Sequence, residues 1–283
     1  MGKNGRLGAA IWRGLGNDYE ILPLGRSELD LERAIAEQID DIEFDLLINS
    51  AAATNVDWCE KNPREAHRIN ESAVAELAAL AIERGARMIH VSTDYVFDGK
   101  STRPYLETDP ASPISVYGRA KKAGENALLD VSPNHLAIRV SWVFGPDKPS
   151  FVDAILDRAI HHPDVEAITD KFSTPTYTLD FIEWLRPLLF DNPIGGLLHL
   201  CNQGECSWQQ YGQCAIEVAA KEGIELRTRQ IRPIHLSSMQ NFVAARPIYS
   251  VMDTTRFTSE TGIWPRPWQE AVSDFVRRKF GKW

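Results

Sequence analysis

Tyr117 and Lys121 stand four residues apart. That is just over one helical turn, so in a helix a phenol and an ammonium share one face and their ends can converge. A phenol with an ordinary pKa near 10 exchanges protons poorly at neutral pH, whereas a neighbouring ammonium stabilises the phenolate and moves it toward the working range. Thr93 closes the apolar run that begins at Arg87, and a hydroxyl at the carboxyl end of an inner strand can fix and polarise a substrate carbonyl. Gly2, Gly5 and Gly8 form a GxxGxxG pattern ahead of a helical run over Leu7–Leu15. Such glycines let the backbone approach a pyrophosphate while the helix start offers N–H groups and the positive end of its dipole. Leu24-Gly-Arg-Ser-Glu28 then falls where doubly wound folds read the adenosine ribose. Arg26 and Ser27 offer a guanidinium fork and a hydroxyl to a 2′-phosphate, so the expected cofactor is NADPH, with NADH as the alternative.

These residues need a scaffold, and the hydrophobic pattern supplies one. Short apolar runs at Tyr19–Leu24, Asp45–Asn49, Arg87–Ser92, His135–Ser141, Val165–Thr169 and Gly196–Leu200 read as strands. Amphipathic stretches at 63–84 and 116–129 alternate with them, which is the signature of βαβ units and a parallel sheet. Pro63 suits a first helical position and Gly85 a stop. Beyond Gly145 the texture becomes proline-punctuated, with helices expected over Ser207–Lys221 and Pro267–Phe280. The expected fold is α/β: a Rossmann-like doubly wound parallel sheet with a smaller C-terminal α/β substrate domain. Residues 1–146 are assigned to the nucleotide-binding domain, rejoined by about 163–200, and residues 147–162 and 201–283 to the second.

Composition narrows the function classes. With 283 residues, 43% of them hydrophobic and 25% charged, the chain can bury a sizeable core and fits neither long disorder nor a fibrous protein. A net charge of −8 argues against binding a nucleic-acid backbone, so an anionic ligand must be held locally. No apolar run approaches the roughly 20 residues of a membrane span. Cys59, Cys201, Cys206 and Cys214 have no CxxC pairing, and His161 and His162 have no carboxylate or thiol at ligand spacing. Free thiols in a reducing cytoplasm and no catalytic metal are expected.

Longer signatures carry a resemblance. They are Asn49-Ser-Ala-Ala-Ala-Thr-Asn-Val-Asp57, Ile69-Asn70, Ser92-Thr-Asp-Tyr-Val-Phe97, Val116-Tyr-Gly-Arg-Ala-Lys-Lys-Ala-Gly-Glu125, Arg139-Val-Ser-Trp-Val-Phe-Gly145, Ser173-Thr-Pro-Thr-Tyr177, Cys206-Ser-Trp208 and Ala245-Arg-Pro247. Glycine loops and YxxxK are common to the short-chain dehydrogenase/reductase superfamily. The remaining segments resemble its extended branch, specifically the dTDP-4-dehydrorhamnose reductase family, over nearly the whole chain.

That resemblance implies reduction of the 4-keto group of dTDP-4-dehydrorhamnose to dTDP-L-rhamnose. It implies Tyr117 as proton donor, Lys121 as the group that lowers its pKa and holds the nicotinamide ribose, and Thr93 on the carbonyl. It implies Gly2, Gly5, Arg6, Leu7 and Gly8 at the pyrophosphate, Asp30 and Leu31 at the adenine, and Ala51, Ala52 and Ala53 along the cofactor. Val56, Asp94, Tyr95 and Trp142 would line the substrate pocket, Asn70 would support the lysine through water, and Arg246 would hold the substrate diphosphate. A monomer or homodimer is implied. The branch also resembles the regulatory beta subunit of methionine adenosyltransferase, and reductases or epimerases of other keto-sugar nucleotides share the same Tyr, Lys and Thr.

Members of this family open with a buried apolar strand of roughly six residues before the glycine loop. Here Met1 stands where that strand should have ended. The expectation is a natural protein that begins upstream, with a first strand absent from this sequence.

Overall fold

The computed structural model describes residues 1–190 and 193–281. Its central sheet has four parallel strands, β1 (Leu46–Asn49), β2 (Arg87–Thr93), β3 (Leu136–Val140) and β8 (Gly196–His199), in the order β1-β2-β3-β8. Every residue of β3 is buried, as expected of a parallel strand covered on both faces. The covering helices are α1 (Arg6–Leu15), α2 (Val56–Lys61), α3 (Pro63–His67), α4 (Ala73–Glu83), α5 (Val116–Val131) and α7 (Thr178–Leu189). One apolar cluster joins α1 and α7 to the sheet through Leu7, Ile11, Ile138, Leu185 and Leu198. Another packs Leu77, Ala78 and Ala81 of α4 against Met88 and Ala137.

A second large cluster draws on α6 (Phe151–His161), α8 (Trp208–Lys221) and α10 (Trp268–Phe280), with Ile155, Tyr211, Val272 and Phe275 at its heart. The remaining short strands are β4 (Val143–Phe144), β5 (Glu166–Ile168), β6 (Phe172–Ser173), β7 (Thr176–Tyr177), β9 (Cys206–Ser207) and β10 (Arg232–Ile234). They form three two-stranded ladders: β4 with β7, β5 with β10, and β6 with β9. A seven-residue helix, α9 (Thr255–Thr261), ends in the left-handed Gly262.

Two expectations need correction. Residues 19–24 run without a ladder partner among the described residues, and residues 1–3 lie between them and the end of β1. There Gly2 N–H donates to the Leu24 carbonyl, while the Met1 carbonyl accepts from the Ser50 N–H and hydroxyl. The run at 165–169 does become a strand, but β5 pairs with β10 and stays outside the central sheet. The chain returns to that sheet through α7 and β8.

Candidate active site

The glycine loop folds tightly against the end of β1. Gly2 has φ +84°, and Gly5 N–H donates to the Gly2 carbonyl at 2.8 Å. A Cβ on Gly8 would lie 2.0 Å from that carbonyl oxygen, so only glycine permits this approach. The N-cap of α1 is Gly5, with no side chain to cap the first turn and no acid within it. That end is suited to an anion. Beside it opens a cavity of about 390 Å³ lined by Gly2, Arg26, Asp30, Leu31, Ala51, Ala52 and Ala53, among others. A glycine cradle, an uncapped helix start and an adjoining cavity together fit a dinucleotide. Arg6 and Leu7 begin α1, but the Arg6 guanidinium donates to the Pro149 carbonyl, and Leu7 is buried in the core. Arg26 is 72% exposed, lies 2.7 Å from Glu32 and 3.6 Å from Asp30, and so lines the cavity tethered to two carboxylates. Ser27 is exposed in the same turn.

Thr93 and Tyr117 meet at the end of β2, and Lys121 shares the buried face of α5 with Tyr117. Thr93 ends β2, and Ser115 caps α5 by accepting from the Gly118 N–H, which places Tyr117 and Lys121 on the helix face toward β2. Tyr117 is buried, and its hydroxyl is hydrogen-bonded with Thr93. Burial pushes the phenol well above its usual pKa, and the Thr93 hydrogen bond only partly offsets this. Lys121 makes no hydrogen bond to the phenol among the described residues. Its Nζ donates instead to the Val91 carbonyl at 2.7 Å and meets His90 Nε2 at 2.8 Å. Burial lowers the Lys121 pKa to about 7, opposed by the charge of Glu125. Glu125 is fully buried one turn further on, where the Arg139 guanidinium donates to both its oxygens at 2.7 Å.

Several participants carry little sequence signal. His90, fully buried in β2, and Asn49, fully buried at the end of β1, stand opposite each other in the ladder. The available clue is a polar residue at an inward position of an apolar strand. Asn70 sits in a π-turn (Arg68–Ser72), where its amide closes a two-way bond with Ala53, accepting from the N–H at 2.9 Å and donating to the carbonyl at 3.0 Å. It clamps one wall of the cavity beside α1, and makes no direct bond to the lysine.

The residues expected around a substrate divide in two. Tyr95 presents its ring edge-on to Tyr117 at 5.6 Å, and Val56 starts α2 beside the same cluster. Asp94, by contrast, has its oxygens engaged by Ser250 at 2.6 Å, Ser173 at 3.0 Å and Thr93 at 3.2 Å. Trp142 stacks on Tyr211 at 6.0 Å and adopts φ +41°, a strained value for a bulky residue. Lys171, which the sequence reading passed over, is fully buried between the Tyr95 and Trp142 rings, 5.3 and 5.6 Å from their centres. Arg246 corrects an expectation: its guanidinium is held bidentately by Asp57 at 2.7 and 3.1 Å and lies over Phe242 at 3.5 Å. A fork already matched to a carboxylate is not free for a diphosphate.

Residues 1–280 match the family described as RmlD substrate binding domain. The chain is 34% identical to dTDP-4-dehydrorhamnose reductase of Sinorhizobium fredii, covering 97% of this chain and 95% of that protein. It is 32% identical to spore coat polysaccharide biosynthesis protein SpsK of Bacillus subtilis, covering 98% and 96%. Among solved structures it is similar to a dTDP-4-dehydrorhamnose reductase from Clostridium acetobutylicum, with TM-score 0.90, 29% identity and coverage of 98% and 97%. It is also similar to one from Bacillus anthracis in complex with NADP, with TM-score 0.89, 26% identity and the same coverage. The glycine cradle, the Thr-Tyr-Lys grouping and these similarities over the whole length converge on one statement: the chain belongs to the dTDP-4-dehydrorhamnose reductase family.

Proposed function

We propose that this protein is an NADPH-dependent reductase that converts the 4-keto group of dTDP-4-dehydrorhamnose to the alcohol of dTDP-L-rhamnose, for cell-surface polysaccharide synthesis. The observation that carries the reading is Thr93, Tyr117 and Lys121 near the carboxyl end of β2, with the glycine cradle of α1 at the same end of the sheet. The N-terminal N–H groups of α1 and the glycine loop would hold the pyrophosphate, and Arg26 would meet the 2′-phosphate. When bound, NADPH supplies the hydride that C4 of the sugar gains.

The rest of the chemistry falls to side chains. Thr93 orients the carbonyl oxygen by hydrogen bonding. Tyr117 keeps its proton at neutral pH, because burial raises its pKa, and so is loaded to donate it to O4 as negative charge develops there. Lys121, when protonated, stabilises the phenolate left behind. No helix of the described residues is long and apolar enough to cross a membrane, and the reading includes a cytoplasmic location and a monomeric or homodimeric state. Incubating the protein with NADPH and dTDP-4-dehydrorhamnose, with absorbance and product analysis, tests it. Stoichiometric NADPH loss with dTDP-L-rhamnose formed is expected. No oxidation by folded protein that binds NADPH would leave a cofactor-binding subunit instead.

A further inference from the structure

Behind Lys121 lie two buried residues that this chemistry does not use, and the order of donors and acceptors along them is forced from one end. The Ala51 backbone N–H can only donate, and its acceptor is Asn49 Oδ1 at 3.0 Å. The other half of that amide, Nδ2, can also only donate, and it stands 3.2 Å from His90 Nδ1. That ring nitrogen must therefore be the bare acceptor. Full burial pushes the His90 pKa well below its usual value and keeps the imidazole neutral. Its single proton then sits on Nε2, pointing at Lys121 Nζ 2.8 Å away. An ammonium there would set N–H against N–H. An amine instead accepts from Nε2–H through its lone pair while donating to the Val91 carbonyl.

We infer that Asn49 and His90 are positioning residues that hold Lys121 as the neutral amine in the unliganded protein, through the relay Ala51 N–H to Asn49, Asn49 to His90, and His90 to Lys121. For Lys121 to take a proton, His90 must shift its own from Nε2 to Nδ1. Asn49 must then turn its amide and release the Ala51 N–H. Ala51 lines the cofactor cavity, so the lysine's charge is coupled to the backbone of the cofactor wall.

Among the described residues, no other charge around Lys121 removes this constraint. On its own helix lie Tyr117 and Glu125, the latter paired with Arg139 of β3 and 3.5 Å from Lys122. Beyond β2 and its His90, α2 brings Cys59, whose thiol donates to the Ala53 carbonyl, and Glu60, which accepts from the Val116 N–H. The turn after β2 brings Asp94, engaged by three hydroxyls. The π-turn brings the neutral Asn70 and Glu71, the latter paired with His67 of α3, and α4 brings Glu76, paired with Arg68.

The inference rests on the reading of Lys121 as part of the reductase site, but its test does not need turnover. Nitrogen-15 NMR of histidine-labelled, unliganded full-length protein reads the His90 tautomer, and carbon-13 NMR of the lysine ε carbon reads the titration of Lys121. Protonated Nε2 with bare Nδ1 is expected. Asn49→Asp replaces a donor by an acceptor of the same shape. It should move the proton to Nδ1 and raise the Lys121 midpoint by about one pH unit or more. A proton on Nδ1 in the wild type, or an unchanged tautomer and midpoint in a folded N49D protein, overturns the inference. If N49D does not fold, the wild-type tautomer decides alone. Neither result depends on whether the keto-sugar is reduced, so failure here and failure of the reductase reading are separately visible.

Discussion

At the scale of single residues, Tyr117 and Arg26 carry separable duties. Removing only the phenolic oxygen takes away the proton donor and leaves the ring against Tyr95. Tyr117→Phe is therefore expected to lower kcat by about 100- to 10,000-fold while changing the NADPH Kd by less than about twofold. Steady-state kinetics paired with a fluorescence titration of NADPH checks both numbers, and equal loss of binding and rate would mark a structural tyrosine. Arg26 touches no apolar core and is held by Asp30 and Glu32. Arg26→Ala should weaken NADPH about tenfold and leave NADH nearly unchanged, since only the former brings a 2′-phosphate for the guanidinium. Equal weakening of both would remove Arg26 from the ribose end. The Tyr-Lys pair was legible because helical periodicity turns a spacing of four into a shared face. His90 was not. Its meaning comes from Asn49 and Lys121, which are remote in the chain and meet it only through strand pairing and helix packing.

At the scale of elements, the sequence pattern carries the central sheet well where a strand is buried on both faces. The runs at 45–49, 87–92, 135–141 and 196–200 each overlap a strand of that sheet. Residues 19–24 have the composition of a strand yet no ladder, because a strand is defined by its neighbour as much as by its own residues. The π-turn that aims Asn70 at Ala53 has no local signature at all, since one inserted residue in a helix leaves the apolar pattern nearly intact. The glycine loop is the element whose geometry is most exacting. In Gly8→Ala the new methyl meets the Gly2 carbonyl, which belongs to backbone and cannot swing aside. The expected result is a loss of about 1–3 kcal/mol in stability and a weakening of NADPH by more than about tenfold as the cradle opens. Thermal unfolding and cofactor titration measure the two together. Unaltered NADPH affinity would separate the loop from the cofactor.

At the scale of the molecule, Asp57 at the start of α2 and Arg246 near the end of the chain tie together segments 189 residues apart. Asp57 also accepts from the Val243 and Ala244 N–H groups at 2.9 Å, so one carboxylate fastens a whole stretch of the C-terminal chain beside Tyr95 and Val56. The Arg246 hydrogen bond is the largest influence holding the Asp57 carboxyl down, from 3.8 to about 2. A carboxylate with a depressed folded-state pKa favours folding by an amount that is complete above its unfolded value and is lost as pH falls through the folded one. This contribution should therefore be constant near neutrality and fade between about pH 4 and 2. Asp57→Asn keeps the shape but removes the charge and one acceptor. It is expected to cost roughly 1–2 kcal/mol at pH 7, a fall in Tm of about 2–8 °C. The penalty should shrink toward zero as the wild-type aspartate itself becomes protonated. Melting both proteins from pH 7 down to pH 2 would show the two curves converging below about pH 4 if the clasp is electrostatic. A difference that persists undiminished at low pH would instead assign the role of Asp57 to shape alone.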